Sequence, residues 1–236
     1  MKLLAQFPTY GRSKKFLHTL ARYVDTASIH NEIFFNINCD VDDDEMTNAY
    51  VQERIKYLLS KKKHITGAIN FDKNTTKISA INDHIDGHDF DIVICISDDM
   101  IPKAHGWDNE MCIAMNEHFP ELDGCVHFDD GNTDGKLITF SILGRKLYED
   151  FGYIYHPDYK SLYSDDEFTQ EVTRLEKVKY IPKLIIGHEH WSLEGSENHN
   201  DVDIAVQKTL YYSGRDQVVF EKRKELGFPK ARITKD

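Results

Sequence analysis

The chain has 236 residues, 40% of them hydrophobic, and a formal charge of −11 from 40 acidic and 29 basic side chains. That length suits one sizeable α/β core, and the acidic balance argues against a non-specific nucleic-acid coat, which needs a basic face. Cys39, Cys95, Cys112 and Cys125 lie far apart without a CxxC pair, which excludes a zinc knuckle or disulfide framework as the organising principle.

Residues 2–7 form a short apolar run ended by Pro8, and its apolar part is too short for a signal peptide. No run approaches the roughly 20 apolar residues that cross a bilayer, so the expected setting is the cytoplasm. Residues 12–24 place Phe16, Leu17, Leu20, Ala21 and Val24 at helical spacing. A strand is predicted at 32–38, a helix at 45–59, a strand at 64–70 and a helix at 75–85. Residues 91–97 (DIVICIS) are apolar and β-branched, as in a strand buried on both faces, and Cys95 belongs to that core. Strand and helix thus alternate, which predicts a mainly parallel sheet flanked by helices with right-handed crossovers. Ligands bind at the carboxyl ends of such strands, where Pro8 to Arg12, Asp40, Asn70 and Asp98–Asp99 fall.

Beyond residue 100 the expected elements are a helix at 107–119, strands at 124–128 and 137–142, a helix at 164–178 and a strand at 180–186. Helices are expected at 203–213 and 216–226, after a polar stretch, 192–200, suited to closing over a ligand.

Four motifs carry chemistry. In ISDDMIP, Asp98 and Asp99 leave the most apolar strand together, and two carboxylates at the edge of a core need a cation. Mg²⁺ or Mn²⁺ suits such hard oxygen ligands and bridges carboxylates to phosphates. In LIIGHEHW a buried strand runs into His188 and His190, one of which would complete a metal site begun by Asp99; the alternative is a pair of surface histidines. In YSDDEF, Ser164 and Glu167 read as a capping box, with Asp165 and Asp166 favouring the helix dipole. A carboxylate held there can also act as a general base. In FPTYGRSKKF, Arg12 or Lys14 can pair with a phosphate, although one glycine makes neither a Walker loop nor GxGxxG. Asp40 either accepts from a base or ribose or belongs to the acidic turn 40–44.

In this order (FPTYGR, a strand ending in Asp40, SDDM, GWD, YSDDEF, a strand ending in GH) the motifs resemble a GT-A glycosyltransferase, similar to the inverting group called family two, over residues 3 to 191. The resemblance implies a GT-A domain at 1–191, with 192–236 as a loop and helices packed on it. It implies that Pro8, Tyr10 and Arg12 line the nucleotide pocket, that Asp40 contacts the base, and that Asn70 and Lys77 lie beside the nucleotide or its phosphates. Ser97-Asp98-Asp99 would stand for the DxD motif, with Asp98 facing the ribose or sugar and Asp99 on the metal. Trp107 and Asp108 would border the sugar and acceptor pocket. Asp165 or Asp166 would be the base, and His188, or His190 in its place, a further metal contact. The motif departs from the family in starting with Ser97. Where the family has a glycine-rich acceptor segment, this chain has Tyr153, Tyr155, Tyr159 and Tyr163.

The expected activity is transfer from a nucleotide-sugar donor, a UDP-sugar by default, to an acceptor hydroxyl with inversion and a divalent cation. The acceptor could be a saccharide, a protein or a modified nucleic acid. The rival readings are a nucleotidyltransferase acting on sugar phosphates and a non-catalytic nucleotide-sugar-binding module.

Overall fold

The computed structural model describes residues 1–73, 76–189 and 204–230. Nine strands and eight helices occur among them: β1 Lys2–Pro8, α1 Ser13–Thr26, β2 Glu32–Asp40, α2 Ala49–Leu59, β3 Ile65–Asp72, α3 Lys77–Asn82, β4 Ile92–Cys95, β5 Met100–Pro102, α4 Trp107–His118, β6 Cys125–Asp129, β7 Ile142–Gly144, α5 Arg145–Phe151, α6 Ser164–Arg174, β8 Val178–Leu184, β9 Ile186–His188, α7 Ile204–Tyr211 and α8 Ser213–Glu225.

Seven strands form one mixed sheet in the order β3-β2-β1-β4-β7-β6-β8. The β3-β2-β1-β4 half is parallel throughout, as the strand–helix alternation requires. β7 enters antiparallel between β4 and β6, and β8 returns parallel to β6. Strand periodicity sorts side chains onto two faces. Leu3, Ala5 and Phe7 of β1 and Ile33, Phe35 and Ile37 of β2 join one core with Phe16, Leu20, Ile55 and Met111 from α1, α2 and α4. On the opposite face Leu4 and Val93 meet Ile78, Leu147, Phe168 and Phe220 from α3, α5, α6 and α8. The C-terminal helix α8 therefore closes the second core.

That second face also carries a polar ladder. The Asn36 amide donates to Gln6 Oε1 at 2.6 Å, and the Asn70 amide donates to Asn36 Oδ1 at 2.7 Å and Asn38 Oδ1 at 2.9 Å. Gln6 and Asn38 in turn donate to carbonyls of α3, which would otherwise be buried unpaired at the helix end. The β1–β2–β3 register supplies the ladder by pairing Gln6 with Asn36 and Asn38 with Asn70.

Several expected boundaries shift. The strand predicted at 137–142 forms at Ile142–Gly144, because Ile138 and Phe140 are buried from an irregular stretch, and α5 follows at once. The stretch expected as a single strand at 180–186 divides into β8 and β9. β9 leaves the main sheet to pair antiparallel with β5, with Met100 opposite His188. All four cysteines are free and buried, and burial pushes the Cys95 thiol up to about 12. Among the described residues no helix is long and apolar enough to cross a membrane.

Candidate active site

The carboxyl ends of β1, β2 and β4 converge on the loops that follow them. The loop after β1 is pinned from the acidic run after β2: the Gly11 amide donates to Asp43 Oδ2 at 2.7 Å, and the Ser13 amide and hydroxyl donate to Glu45 Oε2 at 2.9 and 2.7 Å. Asp43 and Glu45 thus satisfy backbone donors at the start of α1, where a negative charge is also favoured by the helix dipole. Gly11 has φ +62°, and a Cβ there would lie 2.9 Å from Ile204 of α7, so both conformation and space call for glycine.

This loop aims Arg12 at Asp98. Arg12 Nη1 lies 3.0 Å from Asp98 Oδ1, Thr9 Oγ1 is 3.4 Å from Oδ2, and Thr19 of α1 donates to the Asp98 carbonyl at 2.7 Å. Asp98 is only 3% exposed. Burial raises its carboxyl above the usual range, Arg12 opposing and the adjacent Asp99 adding to the rise.

Asp99 faces another way. The Ser97 hydroxyl donates to Oδ1, and His188 Nε2 lies 3.7 Å from the same oxygen. Burial works against the Asp99 carboxylate, yet His188, Ser97 and the Lys77 charge together hold it well below the usual carboxylate range. The β5–β9 ladder makes this approach possible, and the Glu189 amide closes it on the Asp99 carbonyl at 2.8 Å. Beneath β9 the loop after β6 takes part. The His188 amide donates to the Asp130 carbonyl at 3.0 Å, and the Asn132 side chain donates to the His188 carbonyl. Asp130 itself is buried and accepts from Asn132, Thr133 and Thr139.

The second carboxylate pair lies in the first turn of α6. Burial chiefly raises the Cys95 thiol at the end of β4, with the Lys77 charge opposing and the Asp165 charge of this pair adding to the rise. Both aspartates are half-buried. Burial, and then the neighbouring Asp165, raise the Asp166 carboxyl.

Tyr10 and Asp40 meet the C-terminal extension. Lys208 of α7 sits over the Tyr10 ring, 3.1 Å from its centroid, and 3.3 Å from Asp40 Oδ2. Burial raises the Asp40 carboxyl, with Lys208 opposing. Pro8 ends β1 beside them, opposite Asn38.

Some expected site residues lie elsewhere. Trp107 is fully buried, packs edge-on against Tyr23 and donates its indole N–H to the Tyr23 carbonyl at 3.1 Å. Asp108, equally buried, accepts from Ser28 and Asn31 and ties α4 to the α1–β2 turn. A tryptophan opening a helix is as useful to a core as to a pocket, and GWD is too short to tell which. Asn70 serves the polar ladder. Tyr155 and Tyr159 are core, and Tyr163 packs on Phe220. The Ser164–Glu167 capping box does not form. Tyr163 is the N-cap, and Glu167 turns inward to Arg223 of α8, 2.8 Å away at both oxygens. His190 and the stretch 192–200 lie outside the described residues.

Among the described residues no three His, Cys, Asp or Glu side chains gather as a metal cluster. The donor set nonetheless fits one kind of ion. A carboxylate held in its ionised form and an imidazole at 3.7 Å match a Mg²⁺ or Mn²⁺ that takes few protein ligands.

No protein-family model matches the chain, and no curated protein does. Solved structures match it. Over 98% of this chain and 65% of the other, it is similar to the mannosyltransferase PcManGT from Pyrobaculum calidifontis in complex with GDP-Man and Mn²⁺, with TM-score 0.66 and 12% identity. It is also similar to residues 1–349 of TarS from S. aureus in complex with UDP-GlcNAc, over 79% of this chain and 57% of that one, with TM-score 0.58 and 15% identity. The fold is the GT-A fold of glycosyltransferases. At these identities the likeness is one of architecture, and the chain spans under two thirds of either neighbour.

Proposed function

We propose that the chain is a glycosyltransferase that moves a sugar from a nucleotide-sugar donor to an acceptor hydroxyl, with inversion and a divalent cation. The observation that carries this reading is the pairing of Arg12 with Asp98 and of His188 with Asp99 at the strand ends of a GT-A fold. Neighbours solved with GDP-Man and with UDP-GlcNAc support a nucleotide-sugar donor of either base.

In this reading the loop from Pro8 to Arg12 and Asp40 cradle the nucleotide, with Lys77 near its phosphates. Arg12 holds Asp98 in place toward the ribose or sugar. Asp99 and His188 would hold the cation, whose charge would offset the one gathering on the leaving diphosphate. Asp166, or its neighbour Asp165, takes the proton of the acceptor hydroxyl as that oxygen attacks the anomeric carbon from the face opposite the leaving group. A carboxyl raised by burial is better matched to proton transfer near neutral pH than an ordinary aspartate.

The test is a panel of UDP- and GDP-sugars with Mn²⁺, read by thermal shift and by the nucleotide released. A true donor raises the melting temperature and yields a nucleoside diphosphate. Pyrophosphate would instead indicate nucleotidyl transfer. Binding without turnover on any acceptor, or in donor hydrolysis, would leave a binding module.

A further inference from the structure

Three side chains of α8 project from one face at positions i, i+4 and i+7, and all three are buried: Asp216, Phe220 and Arg223. Each grips the segment that leads into α6 or the first turn of α6 itself. Asp216 is fully buried and accepts three successive backbone amides, Lys160 at 3.1 Å, Ser161 at 2.7 Å and Leu162 at 3.0 Å. Phe220 packs on Tyr163 with ring centroids 5.7 Å apart. Arg223 makes a two-pronged pair with Glu167 at 2.8 Å, and Tyr159 donates to the same carboxylate at 2.7 Å.

These contacts bracket the two candidate bases. Asp216 holds residues 160–162 before them and Arg223 holds Glu167 after them. Between, Tyr163 adopts φ +63°, a left-handed conformation that a bulky residue takes only when its surroundings impose it. The Lys160 carbonyl also accepts from the Ile78 amide of α3, next to Lys77, so the turn is registered to the phosphate side of the site as well. A buried carboxylate held by three amides and the neighbouring Arg215, and a buried guanidinium shared among Glu167, Asp158 and the Pro229 carbonyl, are costly arrangements for a helix end that a single Ser or Asp would cap.

We propose that Asp216 and Arg223 are positioning residues for the acid–base step: α8 is a clamp that sets where the Asp165–Asp166 carboxylates point. The proposal rests on the glycosyl-transfer reading of the site. It assigns to the C-terminal helix an effect on turnover without any contact with donor or acceptor.

The experiment compares the full chain with Asp216→Asn and Arg223→Lys, using the donor identified by the panel. Both changes keep a hydrogen-bonding side chain in place, and Arg223→Lys also keeps the cation. The readouts are kcat, donor KM, the pH profile of kcat and the melting curve. At temperatures where each variant is folded, kcat should fall at least about tenfold while donor KM stays within about twofold, since small displacements of a reacting group cost rate more than binding. The acid limb of the kcat profile should also move, because the Asp166 environment changes. Val218→Ser, on the exposed side of α8, should leave all four readouts unchanged. If either variant is folded with wild-type kcat and an unmoved pH profile, the clamp is overturned while glycosyl transfer stands. Should the wild-type chain release no nucleoside diphosphate from any donor, the reading of the site fails and the clamp falls with it.

Discussion

Asp98–Asp99 and Asp165–Asp166 are the same dipeptide in two environments. The first pair leaves a strand with Asp98 buried and Asp99 partly so, and its two members must be handled separately. Arg12 faces Asp98, while Ser97 and His188 face Asp99, and the two carboxyls shift in opposite directions. The second pair opens a helix half-exposed, and there burial and the Asp165 charge raise the Asp166 carboxyl. A third pair, Asp129–Asp130, stands at the end of β6. There Asp130 spends its side chain on the amides and hydroxyls of its own loop. Adjacent carboxylates mark a place where the chain must supply opposite charge or donors. Whether that place is a ligand site depends on whether the chain supplies them all itself, as it does at Asp130.

Substitutions that treat the two pairs differently sharpen this contrast. The largest effect is expected at the helix pair. Asp166→Asn should lower kcat by about 10²- to 10⁴-fold, the usual contribution of one general base, with donor KM unchanged. Steady-state kinetics at fixed Mn²⁺ would read it, and full activity would move the base to Asp165. At the strand pair Asp99→Ala should instead act on binding. Mn²⁺-dependent donor affinity, followed by calorimetry, should fall at least about 100-fold, the upper range seen when even an outer partner of a metal ligand is lost. Affinity that survives would remove Asp99 from the cation site.

Arg12→Ala should destabilise the fold by roughly 3 kcal/mol in urea titrations, because it strips a buried carboxylate of its partner. The pH dependence has a defined sign. Asp98 has a raised folded-state value, so the folded chain keeps a proton that the unfolded chain releases. Stability should therefore decline as pH rises from the ordinary aspartate value through the raised one, and Arg12→Ala should steepen the decline. A flat profile would contradict the burial of Asp98. The smallest effect is a displacement. Asp165→Asn removes a charge that opposes ionisation of Asp166, so the acid limb of the kcat profile should move to lower pH with transfer retained. Loss of transfer would make Asp165 the base.

The first hundred residues were legible because their periodicities are clean: β1, β2 and β4 are mainly apolar runs, and α1 and α2 each carry one apolar stripe. The polar exceptions on those strands, Gln6, Asn36 and Asn38, have no signature of their own, since their ladder exists only once the strands are in register. The Asp98–Asp99 site was visible as an unaffordable charge at a strand end. Its partners were visible by type but not by geometry, because His188 reaches Asp99 through a short ribbon whose paired residues are 84 to 88 positions apart along the chain. The α8 contacts were beyond sequence reading. Ser164 to Glu167 satisfies the spacing of a capping box, and only the burial of Arg223 seven residues past Asp216 shows that Glu167 has another use. Lys208 over Tyr10 is likewise a meeting of chain ends with no local pattern.

The β5–β9 ribbon has a consequence for how such a chain can diverge. It fastens Asp99 to His188 by backbone bonds near the two ends of one long excursion, through α4, the β6–β7 hairpin region, α5 and α6. The excursion can vary in α4, α5 and α6 while the ribbon keeps its geometry, provided the loop after β6 still reaches it, since Asp130 and Asn132 bond the His188 backbone. In the reading proposed above, acceptor-side elements outside that loop are thereby free to change without retuning the Asp99–His188 pair, and new acceptor preferences can arise at little risk to the donor end.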